Sequence, residues 1–222
     1  MISRLFHEMA IYDIPAAINF ILQKTEQDSL YYIGYSQGAS IGFITFGILP
    51  YLSDRVKLFI ALAPSYTLEG TNGTLGILAK IPHGLREVGN INKKNLNTSR
   101  VDVYAAIYPD YSSVKTFTHW IQVIHSTEFK YYDYGYKNME VYNMRTPPFY
   151  KIEDVTVPVA VWSGGKDITV TKKNIESLLA HITDLVFYKD IPGWTHSDSI
   201  LDINAPRRLY PDVLELMQKY KD

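Results

Sequence analysis

Apolar positions along the chain fall into short continuous runs separated by stretches of helical spacing. From Glu8 to Lys24 the residues Met9, Ile11, Ile14, Ala17, Ile18, Phe20 and Ile21 recur at roughly helical intervals. The spacing predicts an amphipathic helix with Pro15 near its start, packed on a sheet. Leu30 to Ile33 is an apolar run of strand length, Gln37 to Leu49 reads as an apolar helix stopped by Pro50, and Val56 to Leu62 reads as a second buried strand ended by Ala63-Pro64. Helix, strand, helix, strand is the order of a parallel sheet with crossover helices.

The periodicity blurs between Ser65 and about Tyr150, where Tyr, Asn, Gly and Thr accumulate. A structureless loop of that length does not fit a compact domain, so residues 65–150 are expected to form an inserted subdomain with short helices of its own, Val114 to His125 among them. Sheet patterning resumes at Val157 to Trp162. A helix over Thr171 to His181, a strand over Leu185 to Tyr188 and a last helix over Pro211 to Tyr220 follow. The expected division is therefore a core built from residues 1–64 and 151–222 with residues 65–150 inserted.

Composition narrows the picture. The chain has 222 residues, 46% hydrophobic and 14% aromatic, with a formal charge of −1, which suits one domain with a substantial core and gives no electrostatic case for binding nucleic acid. There is no cysteine, so a disulfide framework, a cysteine metal site and a cysteine nucleophile are excluded. No apolar run reaches the length of a membrane span, and Met1 to Phe6 lacks the apolar core of a secretory signal. A small neutral or apolar substrate fits this balance best.

Candidate chemistry centres on Gly34-Tyr-Ser36-Gln-Gly38, placed between the first strand and the helix after it. In that setting Gly-x-Ser-x-Gly is a nucleophile elbow, a sharp bend that lifts a serine hydroxyl above the sheet, and the expected fold is α/β, the α/β-hydrolase fold. Both glycines are expected where a Cβ would collide with the neighbouring strand or helix. The following helix offers free N–H groups and the positive end of its dipole beside the serine, where an oxyanion would form. Three fixed positions recur by chance in about one chain in a dozen, so the partners must carry the argument. In this fold the acid and the histidine follow the serine along the chain. Asp167 ends a strand through the turn Ser163-Gly-Gly-Lys, and His196 lies after the next strand at the same sheet end. Asp154, Asp184 and Asp190 lack a glycine turn after a strand. His7, His83, His119, His125 and His181 fall on helices, in the insertion or away from strand ends, and are expected to be surface or packing residues. No spacing of His, Asp and Glu suggests a metal site, and no glycine pattern suggests a phosphate loop.

Further motifs accompany these: Glu8-Met-Ala-x-Tyr-Asp-x-Pro-Ala16, Tyr32-x-Gly-x-Ser-Gln-Gly38, Ala61-Leu-Ala-Pro64, Asn97-Thr-Ser-Arg-x-Asp-Val-Tyr104, His119-Trp120 with Gln122, Pro147-Pro148 with Tyr150, Val157-Pro-x-Ala-Val-Trp-x-Gly-Gly-Lys-Asp167, His196-x-Asp198 and Ala205-Pro206. Together they run from about Phe6 to the C-terminus, and the chain resembles the acid lipase family, the gastric and lysosomal acid lipases. The resemblance implies hydrolysis of neutral lipid esters (acylglycerols or sterol esters) without a cofactor, with Ser36 as nucleophile, His196 as base and then acid, Asp167 orienting it and Gln37 N–H as half of the oxyanion hole. It implies a cap over the serine whose aromatic side chains meet either an acyl chain at a lipid interface or simply one another, and a secreted or lysosomal setting. In that setting Asn72 and Asn97, both in N-glycosylation patterns, would carry sugar.

The resemblance also carries departures. Family members hold a long N-terminal part with the first strands and a second oxyanion N–H; here one helix precedes the elbow strand, and the cap is shorter. The expectation is an elbow strand with an open edge and a chain of low stability, a fragment, shortened isoform or decayed copy. The rival to a working hydrolase is a catalytically silent lipid-binding or partner-binding remnant that keeps the triad letters.

Overall fold

A computed structural model describes residues 5–69, 92, 94–107 and 112–221. The chain enters through a helical turn, α1 (Phe6–Glu8), a wider π-helical turn (Met9–Asp13), and α2 (Ile14–Thr25). The predicted helix over Glu8 to Lys24 is thus one rod with a bulge in it. Ile14 N–H reaches back five residues to the Met9 carbonyl. The bulge sits just ahead of Pro15, which has no N–H to give and whose ring crowds the preceding turn.

Among the described residues four parallel strands form the sheet: β1 (Leu30–Tyr35), β2 (Val56–Leu62), β3 (Val159–Gly164) and β4 (Leu185–Ile191), in the spatial order β1-β2-β3-β4. Pairing puts Gly34 against Ala61 and Tyr35 against Leu62, so the carboxyl ends of β1 and β2 finish level. β1 is an edge strand, and Ile33 on it is 53% exposed.

Alternation along the strands builds two cores. Phe59, Ala61, Val159 and Val161 face the layer of α2 and of α3 (Gln37–Ile48), where Phe43, Ile44 and Phe46 fill the interior. Leu58, Ile60, Ala160 and Trp162 face the other way, against Trp194 and the C-terminal helix residues Leu209, Val213 and Leu216. Every residue from Ala39 to Phe46 is buried, which explains why α3 shows no amphipathic stripe: it is covered on all sides. Pro50 does not only end α3; it opens a short helix, α4 (Pro50–Ser53), since its fixed φ suits a first turn.

Between β2 and β3 the described residues form α5 (Val101–Ile107), α6 (Val114–Ser126) and α7 (Asn138–Tyr142). α6 packs inward through His119, Trp120 and Val123, with Phe6 stacked on the His119 ring at 4.0 Å and tilted against Trp120 at 4.8 Å. The remaining elements are α8 (Lys172–Leu179), α9 (Asp198–Leu201), α10 (Ala205–Arg208) and α11 (Tyr210–Lys219). No described helix is long and apolar enough to cross a membrane.

Candidate active site

The bend between β1 and α3 forces Ser36 to φ 52°, ψ −119°, a conformation costing an L-residue about 1–3 kcal/mol that persists only when its surroundings hold it. They do so from several sides. Ser36 N–H donates to Leu62 O at 2.9 Å, and Ser36 O accepts from the amides of Ala39 and Ser40. Gly34 is required sterically, because a Cβ there would stand 2.7 Å from Ala39 backbone atoms and Gly38 O. The expectation of a collision at Gly38 with a neighbouring strand or helix is corrected: apart from its chain neighbours and the backbone of its own helix, no described atom lies within 4 Å of a Cβ built there.

Asp167 and His196 arrive from the neighbouring strand ends. Past β3 the turn is pinned by Gly165 N–H to Ile191 O and Lys166 N–H to Trp194 O, so the acid's loop and the histidine's loop are tied directly to each other. One carboxylate oxygen of Asp167 accepts the amides of Thr169 and Val170 at 2.7 and 2.8 Å. The other receives His196 Nδ1 at 2.7 Å, and His196 Nε2 stands 2.7 Å from Ser36 Oγ. Both residues are buried, Asp167 at 8% exposure and His196 at 5%. An ionised carboxylate can only accept, so Nδ1 carries the imidazole proton, Nε2 is bare, and the Ser36 hydroxyl donates to it.

Carboxylates hold the histidine loop in shape. Asp198 accepts both the amide and the hydroxyl of Thr195, at 2.5 and 2.9 Å, and Asp202 accepts the Trp194 indole N–H at 2.6 Å. Burial raises the Asp198 carboxyl above its ordinary range, with the Thr195 hydrogen bonds opposing that shift. The amide of Gln37 opens α3 and meets no acceptor among the described residues, as befits the first turn of a helix.

Several neighbours were not legible in the sequence. Ser65, just past β2, lies 3.4 Å from Ser36 Oγ. Since Ser36 gives its proton to His196, the Ser65 hydroxyl is the donor of that pair. Ser40 ties the two loops by donating to Ser65 O at 2.5 Å. The left-handed Ala63 (φ 45°) turns the chain so that Ser65 faces the elbow, and no local spacing announces that turn. Elsewhere, His7, His119 and His181 pack against aromatic rings in other parts of the molecule, and His125 is exposed. His83 and Asn72 lie outside the described residues. Asn97 is exposed, its side-chain oxygen capping the turn Thr98–Arg100 through the Ser99 amide at 3.1 Å.

A family model described as the alpha/beta hydrolase fold matches residues 2–202. The chain belongs to the α/β-hydrolase family. Among curated proteins it is similar to the lysosomal acid lipase/cholesteryl ester hydrolase of Rattus norvegicus, 40% identical over 97% of this chain and 64% of that protein. It is also similar to the gastric triacylglycerol lipase of Rattus norvegicus, 38% identical over 96% of this chain and 64% of the relative. Lipase member M of Homo sapiens is 37% identical over 96% of this chain and 60% of the relative. The chain thus spans somewhat under two thirds of the length of these relatives. Among solved structures, the monoacylglycerol lipase of Paleococcus ferrophilus superposes with a TM-score of 0.61 at 14% identity, covering 98% of this chain and 77% of that one. At that identity the likeness speaks to the α/β-hydrolase fold alone.

Proposed function

We propose that this α/β-hydrolase cleaves neutral lipid esters by an acyl-enzyme route. The observation that carries the reading is the continuous hydrogen-bonded chain from Asp167 through His196 to Ser36, with both links at 2.7 Å. Ser36 Oγ attacks the ester carbonyl carbon while its proton passes to His196 Nε2. Asp167 holds the ring in the tautomer that can accept, and offsets the charge of the imidazolium. The Gln37 amide donates to the carbonyl oxygen as it becomes an oxyanion. Collapse breaks the bond to the alcohol, which leaves with the proton from His196. Water then attacks the acyl-serine, gives a proton to the same nitrogen, and the fatty acid departs as Ser36 recovers its hydrogen. Every step uses side chains and backbone of this chain and no cofactor.

The substrate class is supported by the names of the relatives, which act on triacylglycerol and cholesteryl esters. In this reading residues 65–150 cap the core formed by 1–64 and 151–222, the cap meets the lipid interface, and Asn97 carries sugar in a secreted or lysosomal protein.

The test is a fluorophosphonate probe on the purified chain. Wild type labels covalently and Ser36→Ala does not, and a long-chain ester is hydrolysed in preference to a short soluble one. Folded wild type that takes no label would establish the silent binding remnant instead.

A further inference from the structure

Gln37 is held by its side chain as well as by its place in α3. Its Oε1 accepts the indole N–H of Trp120 at 2.7 Å, and its Nε2 lies 3.8 Å from Met9 Sδ. Trp120 stands on α6 in the inserted segment, and Met9 in the π-helical turn before α2. The Gln37 side chain is therefore a peg set between two elements that belong neither to the sheet nor to α3. Trp120 itself is braced by Phe6, whose ring also stacks on His119 one residue earlier in α6.

We infer that Trp120 is a positioning residue, which through the Gln37 side chain fixes the direction of the backbone N–H that would receive the oxyanion. The inference rests on the reading of Ser36 as nucleophile and Gln37 N–H as oxyanion donor.

The physical reason lies in the elbow's strain. The peptide joining Ser36 to Gln37 is oriented by the ψ of Ser36, which is −119° with φ at 52°. A residue in that conformation relaxes by turning about ψ unless its neighbours forbid it, and such a turn swings the Gln37 N–H away from the hydroxyl. The carbonyl side of this peptide is held by the Ala39 and Ser40 amides at 3.0 and 3.2 Å, but its N–H side, like the first amides of any helix, has no partner within the helix. Anchoring the Gln37 side chain at its far end adds the restraint missing on that side, since its Cα can no longer follow the peptide. The indole suits this task. It is a single fixed donor on a rigid ring, and its hydrogen bond is short. One consequence is that the insertion takes part in catalysis before any substrate arrives: α6 must be docked for the donor to be aimed.

The experiment uses Trp120→Phe, which keeps an aromatic ring beside Phe6 and removes the N–H, and Gln37→Met, which keeps the backbone amide and removes the acceptor. Turnover of p-nitrophenyl butyrate and fluorophosphonate labelling rate are measured for wild type, each single variant and the double variant. Each single substitution should lower kcat about tenfold with KM within about twofold, the pattern of an interaction realised in the transition state. The double variant should lose no more than either single one, because both break the same contact. A purely structural role for Trp120 would give additive losses or a raised KM, and either overturns the inference, as does wild-type kcat in either variant. Should Trp120→Phe fail to fold, Gln37→Met at wild-type kcat still overturns it. Labelled wild type with unaffected variants removes the inference alone, whereas unlabelled, inactive wild type removes the reading beneath it as well.

Discussion

Gly34 and Gly38 flank the serine symmetrically in sequence but not in space. A methyl group at position 34 would sit 2.7 Å from the backbone of Ala39, which cannot move without unwinding the first turn of α3. At position 38 the same group meets open space, and φ there is ordinary. Gly34→Ala should therefore cost roughly 3 kcal/mol or more, the high end for a substitution that overpacks a rigid site. Gly38→Ala should be neutral or gain up to about 1 kcal/mol, because alanine favours a helix over glycine. Denaturant unfolding of the two variants checks this, and equal losses would show that the elbow tolerates no side chain on either flank. The serine, acid and histidine positions were readable because each follows a strand end, so topology alone brought them to one rim. Ser65 and the Trp120 contact with Gln37 were not readable. They depend on a left-handed turn at Ala63 and on where α6 docks, and neither leaves a spacing in the sequence.

At the scale of elements, the strands and sheet-flanking helices lie within a few residues of their predicted ranges, because their apolar surface, on one face or in α3 all round, has to be buried. The exceptions are informative. β1 runs on to Tyr35 and β4 to Ile191, past their apolar runs, since backbone pairing with a neighbour continues where side chains have become polar. At the junction of α1 with α6, His7 and His119 were expected to be surface or packing residues, and they pack there against aromatic rings in a contact that depends on pH. His119 is fully buried under Phe6, its Nε2 donates to Lys130 O at 2.8 Å, and Nδ1 meets no partner among the described residues. Burial pushes its pKa down to about 4; the Lys130 hydrogen bond opposes this, while His7 and Lys115 add to it. His7 is lowered by burial too, with Glu8 acting the other way. A base whose pKa is lower folded than unfolded takes up its proton first in the unfolded chain. The contribution of His119 to stability is therefore whole above pH 6.5, falls as the pH drops toward 4, and levels off below. For His119 alone the loss is about 3 kcal/mol. His119→Gln retains an N–H for Lys130 O and does not titrate, so its unfolding free energy should fall about 3 kcal/mol less than that of wild type between pH 7 and 4. Parallel curves from the two proteins would remove His119 as the cause.

For the molecule as a whole, the described sheet has two edges: among the described residues β4 pairs with β3 alone, and β1, at the other edge, pairs with β2 alone. That edge is flanked by apolar surface on both faces: Ile14, Ile21 and Tyr32 toward α2, and Ile200, Leu209 and Tyr210 toward the C-terminal helices, with the half-exposed Ile33 between them. Unpaired strand donors and acceptors bordered by apolar side chains form a template for another strand. The chain studied alone should accordingly self-associate as its concentration rises, edge to edge through β1. A single charge at the centre of the edge opposes this, because a second strand would have to bury it without a partner. Ile33→Lys changes a side chain that is already 53% exposed, so it costs little within the folded chain. Sedimentation velocity over a hundredfold range of concentration should show wild type moving to larger species while Ile33→Lys stays monomeric, with labelling at Ser36 retained in both. Self-association that persists in Ile33→Lys would move the sticky surface elsewhere, to the exposed Tyr12 and Phe20 of the N-terminal helices. Charge placed there would then be the substitution that restores the monomer.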